Sequence, residues 1–522
     1  MVFLLTALLF VQAPQSPPAP FTDYPLQDAI EYRIALTVDL ERQTLQGKVD
    51  YTFAAIEPLQ TITLDARRSD DWRVVFTDDQ DRELPAKWGT DSVVLTLPAT
   101  LEKGAQTRFS AAISGKPVDG FYFAPNRYGE RMAFTDHYSV RARGWLPCED
   151  HPADRARFAM RIVYPAGNEI TGFGVPGAGV AGQMVAPPEG YRVIELAADA
   201  EIPPYMLAIV IGPLARVPEA GDGRLMDHLV YKQDVEKAKL ALVHHAAWIK
   251  LMETTFGPYL FQKYMTVQCP TRWGGFEAPG NVQLAEGLFD GRGHGTGTLA
   301  HELVHMWFGD GIGYSTWRDV WLSEGFASYF GPWLESQTGG PNFAASLVRM
   351  RASWAQSEEG RVKSIRDERF TTPDEILNAN TYPKAAWVLH MLRGELGDEK
   401  FFAALSAYYR EFAGKAVSNA DFVRAVQKST GQDLGWFFAQ WLDRVGCPEL
   451  NVSAADGAIV VEQAQDGDPW RFWLRLRWLD DAGSPQEKRL QITEKVTRLP
   501  VQGGVSGLVV DPEVELLYRP SK

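Results

Sequence analysis

The residues His301-Glu302-Leu303-Val304-His305, with Glu324 nineteen positions beyond His305, set a tight condition on any fold this chain adopts. At about 100° per residue, positions 301 and 305 lie on one helical face a turn apart, so two imidazoles converge on one point. Glu302 sits one residue further round, off the ligand face yet within reach of a water on a bound metal. Glu324, in Trp321-Leu322-Ser323-Glu324-Gly325-Phe326-Ala327, is predicted to lie on the next helix and to complete the set. Two histidines and one glutamate leave a fourth position open, the mark of a catalytic zinc rather than a closed structural one. The fold must therefore hold two packed helices with polar groups facing each other in its interior. Chance is a poor rival: with 9 His in 522 residues, a random His-Glu-x-x-His arises in roughly one such chain in a hundred, and the later glutamate lowers that about fifteenfold. The other histidines offer no second set by spacing. His244 and His245 are adjacent on a predicted helix and diverge, His294 sits between glycines, and His137, His151, His228 and His390 lack a partner at ligand spacing.

Around this core of chemistry the periodicity changes twice. Tyr32, Ile34, Leu36, Val38 and Leu40 alternate at period two, as do Val49, Tyr51 and Phe53, and then Phe158, Met160, Ile162 and Tyr164. This predicts an antiparallel β-domain, residues 21–213. From Asp234, a candidate N-cap, to the Gly257-Pro258 stop the spacing becomes helical. Phe401 to Phe412, Ala420 to Val426 and Leu434 to Leu442 continue it, within a predicted catalytic domain at 214–446. After Gly446 short alternating strands return, as in Trp473-Leu474-Arg475-Leu476-Arg477-Trp478, and predict a small β-domain at 447–522. About one domain per ~150 residues agrees with three.

Composition narrows the partners. A net charge of −14 without a Lys/Arg cluster argues against nucleic acid. The apolar run Val2 to Ala13 has the length of a signal-peptide core and is too short for a ~20-residue membrane helix. With the Pro-rich stretch after it, residues 1–20 are expected to be a leader, giving a secreted or periplasmic protein with no membrane span after processing. Cys148, Cys269 and Cys447 are scattered and odd in number, and are expected to be buried thiols.

These residues carry a resemblance. From about Tyr24 to about Leu517 the chain resembles the M1 family of zinc aminopeptidases, which includes aminopeptidase N. His301 to His305 followed by Trp307-Phe308-Gly309 is similar to the family's zinc helix, and Glu324 falls at its spacing. Tyr382-Pro383-Lys384-Ala385-Ala386 looks like the segment with its catalytic tyrosine. Arg143 to Pro152, with Arg157-Phe158, is similar to the signature that ends its first β-domain, and Asp433 to Pro448 to the end of its catalytic domain. The resemblance implies a multidomain α+β architecture: an N-terminal β-saddle, a thermolysin-like α/β catalytic domain and a small C-terminal β-sandwich. It also implies one zinc per chain, held by His301, His305 and Glu324, with Glu302 as general base and Tyr382 stabilising the oxyanion. Peptides with a free N-terminus are the implied substrates.

Two departures stand out. Where the family carries Gly-x-Met-Glu-Asn, this chain reads Gly274-Gly275-Phe276-Glu277-Ala278. The glutamate that binds the substrate's ammonium is kept as Glu277, and Gly274 and Gly275 leave their backbone open to an extended peptide. Asp136 aligns with a position, usually glutamine, that reaches the first substrate pocket, where a carboxylate would either reinforce ammonium binding or favour an N-terminal Arg or Lys, unless it is an exposed loop aspartate. Three readings stand at this point: an aminopeptidase, a zinc endopeptidase or other hydrolase on the same scaffold, and an inactive scaffold that binds partners.

Overall fold

The computed structural model describes residues 24–177, 186–198, 200–219, 226–293 and 295–521, so the expected leader and His294 lie outside the described residues. The alternating N-terminal segments form strands β1 (Gln27–Asp39) and β2 (Thr44–Ala55), paired antiparallel with Tyr32 opposite Tyr51 and Ile34 opposite Val49. Their period-two residues all face inward, because one face of the sheet covers the core. The seven-stranded sheet continues on the β2 side through β3 (Gln106–Gly115) and on the β1 side through β4 (Arg157–Pro165). One expectation changes here. β1 and β4 run parallel, with Tyr32 opposite Phe158 and their rings stacked at 4.9 Å. The sheet is therefore mixed, since the chain closes a long excursion before returning beside its first strand.

The middle segment opens on a five-stranded sheet of β5 (Leu214–Pro218), β6 (Asp227–Tyr231), β7 (Thr266–Cys269), β8 (Gly275–Phe276) and β9 (Val282–Ala285). Their spatial order is β5-β6-β7-β9-β8, which leaves Gly275-Phe276 on an edge. The predicted single helix from Asp234 is two helices, α1 (Val235–Ala241) and α2 (His245–Thr255). The Asp234 side chain caps neither. It is buried against Arg127, Tyr128 and Gln268 instead.

The two helices demanded by the ligand spacing are α3 (Thr296–His305) and α4 (Trp321–Gln337). Phe308, just past α3, stacks on Phe326 of α4 at 4.4 Å and on Phe330 at 6.0 Å, with Phe256 edge-on to both Phe308 and Phe330. Each such buried ring contributes about 1.5–3 kcal/mol. This aromatic packing holds the polar sides of α3 and α4 in register. A π-helical turn, Asn380–Lys384, leads into α5 (Ala385–Leu396). Beyond Cys447 a four-stranded and a three-stranded sheet follow, with Leu474 and Leu476 fully buried. The three cysteines are free and buried. Among the described residues no helix is long and apolar enough to cross a membrane.

Candidate active site

α3 buries Leu299, Ala300, Leu303 and Val304 in the core, which turns His301 and His305 toward α4. Glu324 comes from the first turn of α4. Its Oε2 lies 3.2 Å from His301 Nε2 and 3.5 Å from His305 Nε2. Ligands about 2.0–2.2 Å from a tetrahedral zinc stand roughly 3.3–3.6 Å apart, so both distances from Glu324 are close to an edge of such a coordination shell. His305 is further held at its other nitrogen. Nδ1 lies 2.8 Å from Ser323 Oγ and 3.2 Å from Phe308 O, so its proton is directed away from the cavity and Nε2 keeps its lone pair for a metal.

A second cluster provides the contrast. His228 and His245, which spacing had kept apart, meet at Glu219 Oε2 at 2.9 and 3.0 Å. Those are direct hydrogen-bond lengths, and Ala246 N donates to the other oxygen of Glu219 at 3.0 Å. The carboxylate is thus satisfied by three donors. We read this cluster as a structural clasp between β5, β6 and α2.

Charge accounts for the behaviour of the first cluster. Glu277, Glu302 and Glu324 are buried together, each 4–5% exposed. Burial raises the Glu302 carboxyl well above its usual range, with Glu277 and Glu324 adding to it against the pull of His305. Burial also carries Glu277 up to about 7. On His305 burial pulls downward, yet the three carboxylates, Glu324 foremost, outweigh it and bring the imidazole up to about 10. Burial would raise Glu324 as well, but the two histidines hold it down at about 2. A site that draws a proton onto a buried imidazole is one that calls for cations.

The carboxylates open on a cavity of about 340 Å³. Gly274 and Gly275 line one side of it, and Glu277 follows on the same segment. Gly275 is required by close approach: a Cβ there would lie 2.5 Å from Glu302 Cδ. Tyr382, on the π-turn, also lines the cavity, its ring stacked 6.1 Å from that of His301. Sequence reasoning missed Tyr138, Trp273 and Leu377, which together with Phe276 of the altered motif form much of the remaining wall. Asp136 is not among the lining residues. Its Oδ1 accepts from Trp273 Nε1 at 3.0 Å and its Oδ2 lies 3.2 Å from Arg272 Nε, so the expected substrate-facing carboxylate is already paired.

Comparison with known proteins agrees with this geometry. The model of the peptidase family M1 domain matches residues 240–441, and that of the peptidase M1 N-terminal domain matches 28–171. Curated relatives include probable aminopeptidase 2 of Sulfurisphaera tokodaii, 23% identical over 77% of this chain and 52% of its own length. Aminopeptidase M1 of Arabidopsis thaliana is 25% identical over 68% of this chain and 42% of its own. The chain thus spans about half the length of the curated relatives it matches. A crystal structure of an M1 zinc metallopeptidase variant from Deinococcus radiodurans superposes with a TM-score of 0.67 at 25% identity. That match covers 81% of this chain and 96% of the other. Two successive matches to models of one family, together with a solved structure that carries its fold, place the chain in that family: it belongs to peptidase family M1.

Proposed function

We propose that this protein is a zinc-dependent aminopeptidase that removes the N-terminal residue of peptides. The observation that carries the reading is the charge of the buried site. Glu277, Glu302 and Glu324 bring three carboxyl groups to one cavity, where burial lets all of them ionise together only against opposite charges. A divalent metal and one ammonium group bring three positive ones, and the free N-terminus of a peptide is the ammonium that also presents a scissile bond. An endopeptidase would leave one of these carboxylates without a counter-charge.

His301, His305 and Glu324 would hold the metal, and a bound zinc supplies Lewis acidity toward a water and toward the scissile carbonyl. Glu302 then takes the proton of the attacking water and returns it to the departing amine; burial, by raising its proton affinity, suits it to both. Tyr382, kept protonated because burial and Glu324 raise its hydroxyl well above the ordinary value, donates to the tetrahedral oxyanion. Glu277 accepts from the substrate ammonium and so sets the cut after the first residue. The edge strand β8 pairs with the extended peptide, and Gly274, with open space where a side chain would stand, admits it.

The test is a panel of aminoacyl amides with free and acetylated N-termini, run on wild type and Glu302→Gln. Wild type should hydrolyse only the free amines, and Glu302→Gln should bind zinc normally with kcat lowered at least about a thousandfold. Equal hydrolysis of acetylated substrates would make it an endopeptidase instead. The basic first-residue preference draws no support from Asp136, whose oxygens are taken by Trp273 and Arg272.

A further inference from the structure

The wall of the cavity away from the metal ligands is built unusually firmly. Trp273 is only partly buried, yet its indole is fixed on two sides. Nε1–H donates to Asp136 at 3.0 Å, and the Arg272 guanidinium lies 4.2 Å from the ring centroid, in cation–π range. Arg272 is itself anchored. Its Nε pairs with Asp136 at 3.2 Å, and Nη2 donates to Tyr138 O at 3.0 Å. Asp374 stands 4.0 Å from the same guanidinium and accepts from Ser139 Oγ at 2.7 Å. Asp374 lies three residues before Leu377, another wall residue, so the network joins both sides of the opening. Tyr138 meets the Trp273 ring edge-on at 6.1 Å and Phe276 at 6.3 Å. The carboxylates that line the cavity, among the described residues, are Glu277, Glu302 and Glu324, all at its metal end.

We propose that Trp273, clamped by Asp136 and Arg272, determines which N-terminal residue is accepted, selecting peptides that begin with an aromatic or large apolar side chain and disfavouring Arg and Lys. This rests on the aminopeptidase reading and adds its first-residue specificity. A flat aromatic wall rewards aromatic and apolar side chains through contact area and ring geometry. It offers a basic side chain no free carboxylate, because Asp136 is shared with Trp273 and Arg272, and Asp374 with Ser139 and Arg272. Asp136 and Arg272 are positioning residues: they act on the substrate through the indole.

The experiment compares kcat/KM for Phe-, Ala- and Arg-amides in wild type, Trp273→Ala, Asp136→Ala and Asp136→Asn. Wild type should favour Phe over Arg by at least about tenfold, the scale of discrimination an apolar pocket achieves. Trp273→Ala should lower the Phe/Ala ratio about tenfold or more, mainly through KM. Asp136→Ala, which leaves the indole N–H without its acceptor, should lower the same ratio. Asp136→Asn keeps an acceptor oxygen and should restore it to within about threefold of wild type, a rescue that general destabilisation of the fold would not show. A wild-type preference for Arg, or a selective loss of Arg-amide hydrolysis in Asp136→Asn, would overturn the inference, because Asp136 would then be reading the substrate directly. Calorimetry with L-phenylalanine and L-arginine hydroxamates on zinc-loaded protein repeats the comparison without turnover. Phe binding over Arg in a protein that cleaves no free-amine amide would sink the aminopeptidase reading and leave this one; equal binding would sink this one.

Discussion

Replacing Ser323 with Ala removes the nearer of two acceptors for the His305 Nδ1–H, the one at 2.8 Å, and leaves Phe308 O at 3.2 Å. Both Ser323 and His305 are 1% exposed, so water does not substitute. A typical hydrogen bond contributes about 0.5–1.5 kcal/mol net, and leaving a buried donor wholly unpaired costs about 1–3 kcal/mol. Because the longer bond remains, the lower range applies, and the loss should be about 1 kcal/mol. That energy falls on the metal-loaded state, where Nδ1 must keep its proton so that Nε2 can ligate. Zinc affinity should therefore weaken roughly five- to tenfold, the low end of what removing a partner behind a ligating histidine does. Competition against a chromophoric chelator measures it, with thermal unfolding of the metal-free protein as the reference. If the zinc dissociation constant stays within twofold of wild type, Ser323 does not orient the ligand and the reasoning fails. If metal-free stability drops by the full amount while affinity is unchanged, the hydroxyl is merely structural.

Gly309→Ala should damage the same cradle more severely, since φ is +131° and a Cβ would stand 2.9 Å from His305 Nδ1 and closer still to Ser323 Oγ. Zinc content and melting temperature should both fall, and normal values of both would contradict the packing. Tyr382→Phe should lower kcat about 10²–10³-fold with KM changed much less, as for a donor used only in the transition state; a pure KM effect would remove Tyr382 from the mechanism. His137 bears on acid stability. Its Nε2 accepts from Trp145 Nε1 at 2.7 Å, Nδ1 faces Pro204 O at 3.2 Å, and burial lowers its pKa to about 3. The unfolded chain takes up this proton near pH 6.5, while the folded one refuses it until about 3, so the contribution to stability is present above 6.5 and is lost on acidification. Between pH 7 and 5 wild type should lose about 2 kcal/mol relative to His137→Gln in urea melts. A difference that does not change with pH would refute the assignment.

What the sequence made legible follows from the range over which each signal acts. Period-two alternation marked β1, β2 and β4 because it depends only on which face of a strand is buried. The same alternation is blind to direction, and so the parallel pairing of β1 with β4 could not be read from it. Asp234 looked like a helix cap because caps are recognised by residue type. Its carboxylate is claimed by Arg127, more than a hundred residues earlier, so no local rule could find its role.

The site divides in the same way. His301, Glu302 and His305 lie within one helical turn, and Glu324 begins the next long helix, so spacing alone brought the donors together. Asp136 shows what position in an aligned sequence leaves out. It gives the path of the backbone and the presence of a carboxylate near the cavity, but the charge that matters is that of the whole cluster. Arg272, 136 residues further along, turns a free anion into one side of an ion pair and makes the indole beside it the surface a substrate meets. The same comparison separates the two histidine pairs around a glutamate. Glu219 is satisfied by three donors at 2.9 to 3.0 Å and needs no cation, whereas Glu324, with Glu302 and Glu277 beside it, cannot be neutralised by its neighbours without spoiling a ligand. Spacing pointed to the first cluster alone; the fold brings ligand-type residues together in both, and distance and charge single out the first as the one suited to a metal.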